Sequence, residues 1–161
     1  MTILDSGTRR VFESGAVRDI QADKGDCSLL PLDVVAKILK SDMLVCIEAF
    51  RTTGDVGCLY DALNAYCKEE YDSMPEMLLE VSKHFLEGSR KYSIDNWKKG
   101  IPVRSYIDSC VRHYLKIKSN YTDENHTRAV TWNLICAIWT YINWPLLDDY
   151  TMSEGKADNV N

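Results

Sequence analysis

The stretch DENHTRAVTWNLICAIWTYIN, residues 123 to 143, constrains the fold more than any other segment, because a helix through it is apolar on almost every side. At about 100° per residue, Val130, Trp132, Leu134, Ile135, Ile138 and Trp139 point in scattered directions. A helix of that kind has no face to offer water and must be surrounded by others. Its polar exceptions, His126, Asn133 and Thr140, recur every seven residues beside the small Ala129 and Ala137. They form one narrow polar stripe that faces an interior. Buried polar side chains need partners, and neighbouring helices or a ligand can supply them. Both readings stay open at this stage.

The rest of the chain supplies the surroundings. LLPLDVVAKILK places Pro31 at a first helical turn and repeats Val34, Val35, Ile38 and Leu39 at three-to-four spacing, the mark of an amphipathic helix. DMLVCIEAFRTTG and VGCLYDALNAYCKEEY read as a helical hairpin, the second segment carrying Leu59, Leu63 and Cys67 on one side. SMPEMLLEVSKHFLEGSRKY opens with Ser73 as a cap and Glu76 three residues on, a capping box. SYIDSCVRHYLKI follows Pro102, and the last helix has Asp123 as its expected cap and stops before Pro145. The expectation is an all-α helical bundle of about five to six helices. Residues 1–28 form an irregular N-terminal arm, 29–145 a single helical domain and 146–161 a polar tail.

Composition removes whole function classes. A chain of 161 residues with net charge −5 lacks the extended cationic surface that a nucleic acid polymer demands. It has neither a charged start followed by an apolar core nor a run of about 18 apolar residues, so a cytoplasmic protein without a membrane segment is expected. The six cysteines are scattered without a CxxC pair, which reads as reduced thiols rather than a zinc centre. GxxxxGK[ST], a GxGxxG after a strand, GxSxG and HExxH are all missing.

Three constellations remain. Glu80, His84, Glu87 and Lys91 share one helical face, with Leu78, Val81, Phe85 and Tyr92 on the other. That charged face suits either a hard divalent cation or water. Asp108 and Arg112 are i,i+4 neighbours, an ion pair or part of a site, while His113 lies nearer the apolar stripe as a core histidine or a ligand contact. The loop SIDNWKKGIP sets Trp97 among Asn96, Lys98 and Lys99. The ring is either a lid over an anionic aromatic ligand or a packing plug.

Read in order, SGAVRDIQADKG, LLPLDVV, HFLEGSRKYSIDNWKKGIPVRSYIDSCVRHYLK and DENHTRAVTWNLICAIWT resemble the phage and prophage dATP/dGTP diphosphohydrolase family. That family is similar to the all-α nucleotide pyrophosphatases related to MazG. The resemblance implies hydrolysis of a purine deoxynucleoside triphosphate to monophosphate and pyrophosphate with Mg²⁺ or Mn²⁺. It implies a homo-oligomer in the cytoplasm of a phage-infected or lysogenic bacterial host. Carried onto this chain, it implies Glu80, Glu87 and Asp108 as metal ligands and Glu87, His84 and His126 as catalytic groups. The purine nucleotide would be bound by Arg18, Lys91, Tyr92, Asn96, Trp97, Lys98, Lys99, Arg112, His113 and Asn133. The chain departs from the family pattern at Lys24-Gly25-Asp26-Cys27-Ser28 and at Ser89-Arg90, and lacks the EExxE and ExxD pairs of the wider MazG group. Those departures define an alternative, a catalytically inactive phage protein that sequesters a nucleotide and acts against host nucleotide-signal defence.

Overall fold

In the computed structural model, which describes residues 7–20 and 22–152, six α-helices follow one another. They are α1 Leu32–Leu39, α2 Asp42–Thr53, α3 Gly57–Glu70, α4 Met74–Lys91, α5 Val103–Lys118 and α6 His126–Asn143. Local chemistry sets the breaks. Ser41 caps α2 by accepting from the Leu44 N–H, and Gly54 closes it in the left-handed region at φ 67°. Ser73 caps α4 by accepting from the Glu76 N–H, and the Glu76 carboxylate in turn accepts from the Asp72 N–H at 3.1 Å. The expected cap of α6 is corrected by two residues: Asn125, not Asp123, accepts from the Arg128 N–H. Asp123 is engaged by the His126 ring instead.

The nearly all-apolar α6 lies at the centre, flanked by α3, α4 and α5. Ala129, Val130, Leu134, Cys136 and Ala137 are buried in it, and so are His126, Asn133 and Thr140, with at most 3% of their surface exposed. Tyr66, Tyr106, Tyr114 and Phe50 fill the space around it. The polarity of α4 differs from the expectation. Leu78 is 46% exposed, whereas His84 is buried beside Val81, because α6 lies against the face that carries both the histidine and the carboxylates.

The N-terminal arm is more ordered than its sequence suggests. β1 Arg9–Val11 and β2 Val17–Asp19 pair antiparallel, with Arg10 opposite Arg18. Strands of three residues are too short to show an alternating pattern, so the hairpin rests on tertiary anchors. Asn96 clamps it, accepting from the Val17 N–H and donating to the Val17 carbonyl, both at 2.8 Å. Ser14 donates to the Gly100 carbonyl at 2.5 Å. The tail beyond residue 145 also packs in its described part: Tyr150 is buried against Phe50 and the Met152 N–H donates to the Arg51 carbonyl. Residues 153–161 lie outside the described residues.

The loop between α4 and α5 shows how the arm and tail meet. Gly100 sits at φ +100°, and a Cβ there would approach Leu147 Cδ1 to 2.8 Å, so only glycine fits. Trp97 packs edge-on between Phe85 and Trp139, with centroids 5.5 and 5.0 Å away, and its carbonyl accepts from the Tyr106 hydroxyl. Trp97→Ala is therefore expected to cost about 3 kcal/mol of folding stability, as deletion of a packed ring does. Urea unfolding monitored by circular dichroism checks the value.

Candidate functional site

A cavity of about 390 Å³ opens between the hairpin and helices α4, α5 and α6. Six cationic side chains line it, Arg10, Arg18, Lys24, Lys91, Arg112 and Lys116, against three carboxylates, Asp19, Asp108 and Glu124. A chain of net charge −5 thus concentrates positive charge in one concavity, which focuses its field on an anion.

Each wall has its own cause. From β2, Arg18 reaches across to donate to Ser109 Oγ at 2.9 Å, Asn133 Oδ1 at 3.3 Å and the Ser105 carbonyl at 3.3 Å. Its guanidinium lies over the rings of Tyr106 and Trp132. Asp19 is held by Arg9 at 2.9 Å, Lys91 at 2.7 Å and the Tyr92 hydroxyl at 3.1 Å. On α5, Asp108 accepts from Arg112 and from the Cys27 N–H, and Arg112 also donates to the Gly25 carbonyl. The Arg112 Nε and His84 Nδ1 are buried without hydrogen-bond partners, and both residues line the cavity. Buried polar atoms left open at a concave wall mark a place where a ligand completes the hydrogen bonding.

Beside this cavity lies a metal-type cluster. His113 on α5 and Glu124 and His126 at the start of α6 bring one ligand atom each within 4.8 Å of one another. His113 Nδ1 and His126 Nδ1 are 2.9 Å apart, and Glu124 Oε1 is 3.5 Å from the first and 3.7 Å from the second. The other nitrogen of His126, Nε2, is 2.8 Å from Asp123. A carboxylate only accepts, so it fixes the His126 proton on Nε2 and leaves Nδ1 as a lone pair facing the cluster. His113 Nδ1 then donates to that lone pair. Burial, and next the His126 charge, push the His113 imidazolium well below its ordinary range, so His113 is neutral at pH 7. The hydrogen bond from His126, aided by Lys116, holds Asp123 down at about 2.

The sequence-derived site residues divide clearly. Arg18, Lys91, Tyr92, Asn96, Arg112, His113, Asn133, His84 and Asp108 line the cavity. Trp97, Lys98 and Lys99 lie outside it; Lys98 pairs with Asp95 at 3.2 Å. Glu80, Glu87 and Asp108 do not converge as a ligand set, the only such cluster among the described residues being His113, Glu124 and His126. Glu80 and Glu87 instead flank Arg128, at 3.4 and 3.3 Å, because α4 turns its carboxylates toward the start of α6. His126 joins the metal-type cluster. Asn96 and Asn133 use their amides on Val17 and on Arg18 and the Ala129 carbonyl, so both position the hairpin. Sequence reasoning passed over Arg10, Lys24 and Glu124, which lie in segments without an interpretable period, and Lys116, whose helix is legible but whose facing toward the cavity is not.

A family profile described as dATP/dGTP diphosphohydrolase, N-terminal, matches residues 60–150, more than half of the chain. The chain belongs to this family. No curated protein and no solved structure matches it. In this diphosphohydrolase-family chain the matched region carries α4, α5, α6 and the His–Glu–His cluster, while the hairpin that contributes Arg10 and Arg18, and the loop after it that carries Lys24, precede it.

Two outcomes follow. Asn133→Leu leaves the Arg18 guanidinium short of an acceptor and is expected to cost about 1 to 3 kcal/mol. Adding Arg18→Met should recover part of that loss, a coupling of about 1 kcal/mol in a double-mutant cycle by urea unfolding. The second concerns pH. Burial, then the Arg128, Arg18 and Lys91 charges, lower His84 to about 4. Unfolded His84 binds a proton near pH 6.5 while the folded group does not. Its contribution is therefore complete above pH 6.5 and is lost as pH falls toward 4, up to about 3 kcal/mol. His84→Phe should flatten the stability profile in that window.

Proposed function

We propose that the chain binds a purine deoxynucleoside triphosphate in the cationic cavity and cleaves it to monophosphate and pyrophosphate with the help of a divalent cation. The observation that carries this reading is the juxtaposition of the six-cation cavity with the His113, Glu124 and His126 cluster in a chain of the dATP/dGTP diphosphohydrolase family. Arg10, Arg18, Lys24, Arg112 and Lys116 supply charge for phosphate oxygens, with Arg112 offering a planar donor fork. The two imidazoles and the carboxylate fit a cation that accepts nitrogen and oxygen, which favours Mn²⁺ over the oxygen-seeking Mg²⁺. When bound there, such an ion polarises a phosphate oxygen and lowers the pKa of a coordinated water. Asp123 orients His126, and Asn133 and Ser109 hold Arg18 against the substrate side of the cavity.

A second reading, nucleotide binding without turnover, rests on a specific feature. The carboxylates Asp19 and Asp108 are already committed to cations and backbone N–H groups, which leaves neither disposed to deprotonate water. One experiment separates the readings. Protein incubated with dATP or dGTP and Mn²⁺, then denatured, is expected to release dAMP or dGMP and pyrophosphate by anion-exchange chromatography, and His126→Ala to abolish that release. Recovery of intact triphosphate from a stoichiometric complex would establish the binder, and no bound or cleaved purine nucleotide would sink both.

A further inference from the structure

The α4 wall of the cavity differs in kind from the α5 wall. α5 presents Arg112 and Lys116, whereas α4 presents His84 and Gly88, with Tyr92 just after it, beside Trp132 of α6, and the α4 cation that lines the cavity, Lys91, is paired with Asp19 at 2.7 Å. His84 is 8% exposed, its ring lies 5.7 Å from that of Trp132, and its buried Nδ1 has no hydrogen-bond partner. An unsatisfied buried imidazole is costly in the empty protein and gains a partner only from something that enters the cavity. Gly88 stands one turn further along the same face. Glycine weakens a helix interior relative to alanine, yet a Cβ at this position would meet nothing within 4 Å and the backbone there is not left-handed. Protein packing therefore gives no reason for the glycine. Its missing side chain leaves open space on the cavity side, one helical turn from the His84 imidazole.

An uncharged hydrogen-bonding group, a gap in a helix surface and an aromatic neighbour form a surface for a flat heterocycle rather than for phosphate, which the α5 and hairpin cations suit better. We propose that this wall is the base subsite and that His84 reads the purine ring, with the Gly88 gap admitting it. The proposal rests on the purine nucleotide reading above and specifies which residue selects the base. A neutral imidazole carries one donor and one acceptor, so a purine edge engages both, whereas polyphosphate oxygens only accept and use the donor alone.

Calorimetric titration with dATP, dGTP and inorganic tripolyphosphate tests this. His84→Phe keeps the ring volume against Trp132 and removes both nitrogens; it is expected to weaken dATP and dGTP binding by about tenfold and to leave tripolyphosphate within about twofold. Gly88→Ala fills the gap and should raise the melting temperature while producing the same selective loss. It decides the matter alone if the phenylalanine variant does not fold. A folded His84→Phe protein with unchanged affinity for both purine nucleotides, or one that loses tripolyphosphate in parallel, overturns the base subsite while leaving the functional reading intact. A wild-type protein that binds tripolyphosphate but neither purine nucleotide overturns the functional reading and the base subsite with it.

Discussion

The placement of one guanidinium governs how the cavity is built. Arg18 leaves a two-stranded hairpin and inserts between α5 and α6, where Ser109, Asn133 and the Ser105 carbonyl accept from it and two aromatic rings flank it. An arginine cannot discard its proton when it is withdrawn from water, so the surrounding structure has to provide acceptors. That requirement explains why the central helix, otherwise apolar, keeps an amide at position 133. It also explains why the hairpin is pinned by Asn96 at the residue just before Arg18. Without that anchor the guanidinium has no fixed origin.

The electrostatics follow from this arrangement. Carboxylates are present in the cavity, yet Asp19 and Asp108 are spent on holding Lys91, Arg9 and Arg112 in place. They act as braces for cations, and the balance of charge offered to a visitor remains positive. The acid that joins the two imidazoles is Glu124, at the junction between α5 and α6. With Asp123 fixing the His126 tautomer, the His126 Nδ1 lone pair faces His113 and Glu124, so the two rings and the carboxylate are already gathered at one point.

Much of the fold was legible in the sequence, and the reason is periodicity. Six helices announce themselves at three-to-four spacing, and the seven-residue repeat of His126, Asn133 and Thr140 correctly marks an interior stripe because it is a property of one continuous helix. What lies across from a helix face is another matter. Glu80 and Glu87 share a face with His84, but nothing local says that Arg128 stands opposite the carboxylates and the cavity opposite the imidazole. The His113, Glu124 and His126 cluster straddles a helix junction, where spacing along the chain carries no geometric meaning. The hairpin is not legible because its strands have three residues each and are stabilised by partners 79 to 115 residues away.

Those long separations impose an order of events on synthesis. Arg18 emerges early, but its acceptors at positions 109 and 133 follow 91 and 115 residues later. Closing loops of that size is entropically slow compared with forming any single helix, and chains lengthen at only about 5 to 20 residues per second. For several seconds the growing polypeptide carries its hairpin arginines in water with no cavity to line. The site is assembled only when α6 has left the ribosome, so ribosome-bound chains cut short before that helix carry the hairpin without the wall it docks on.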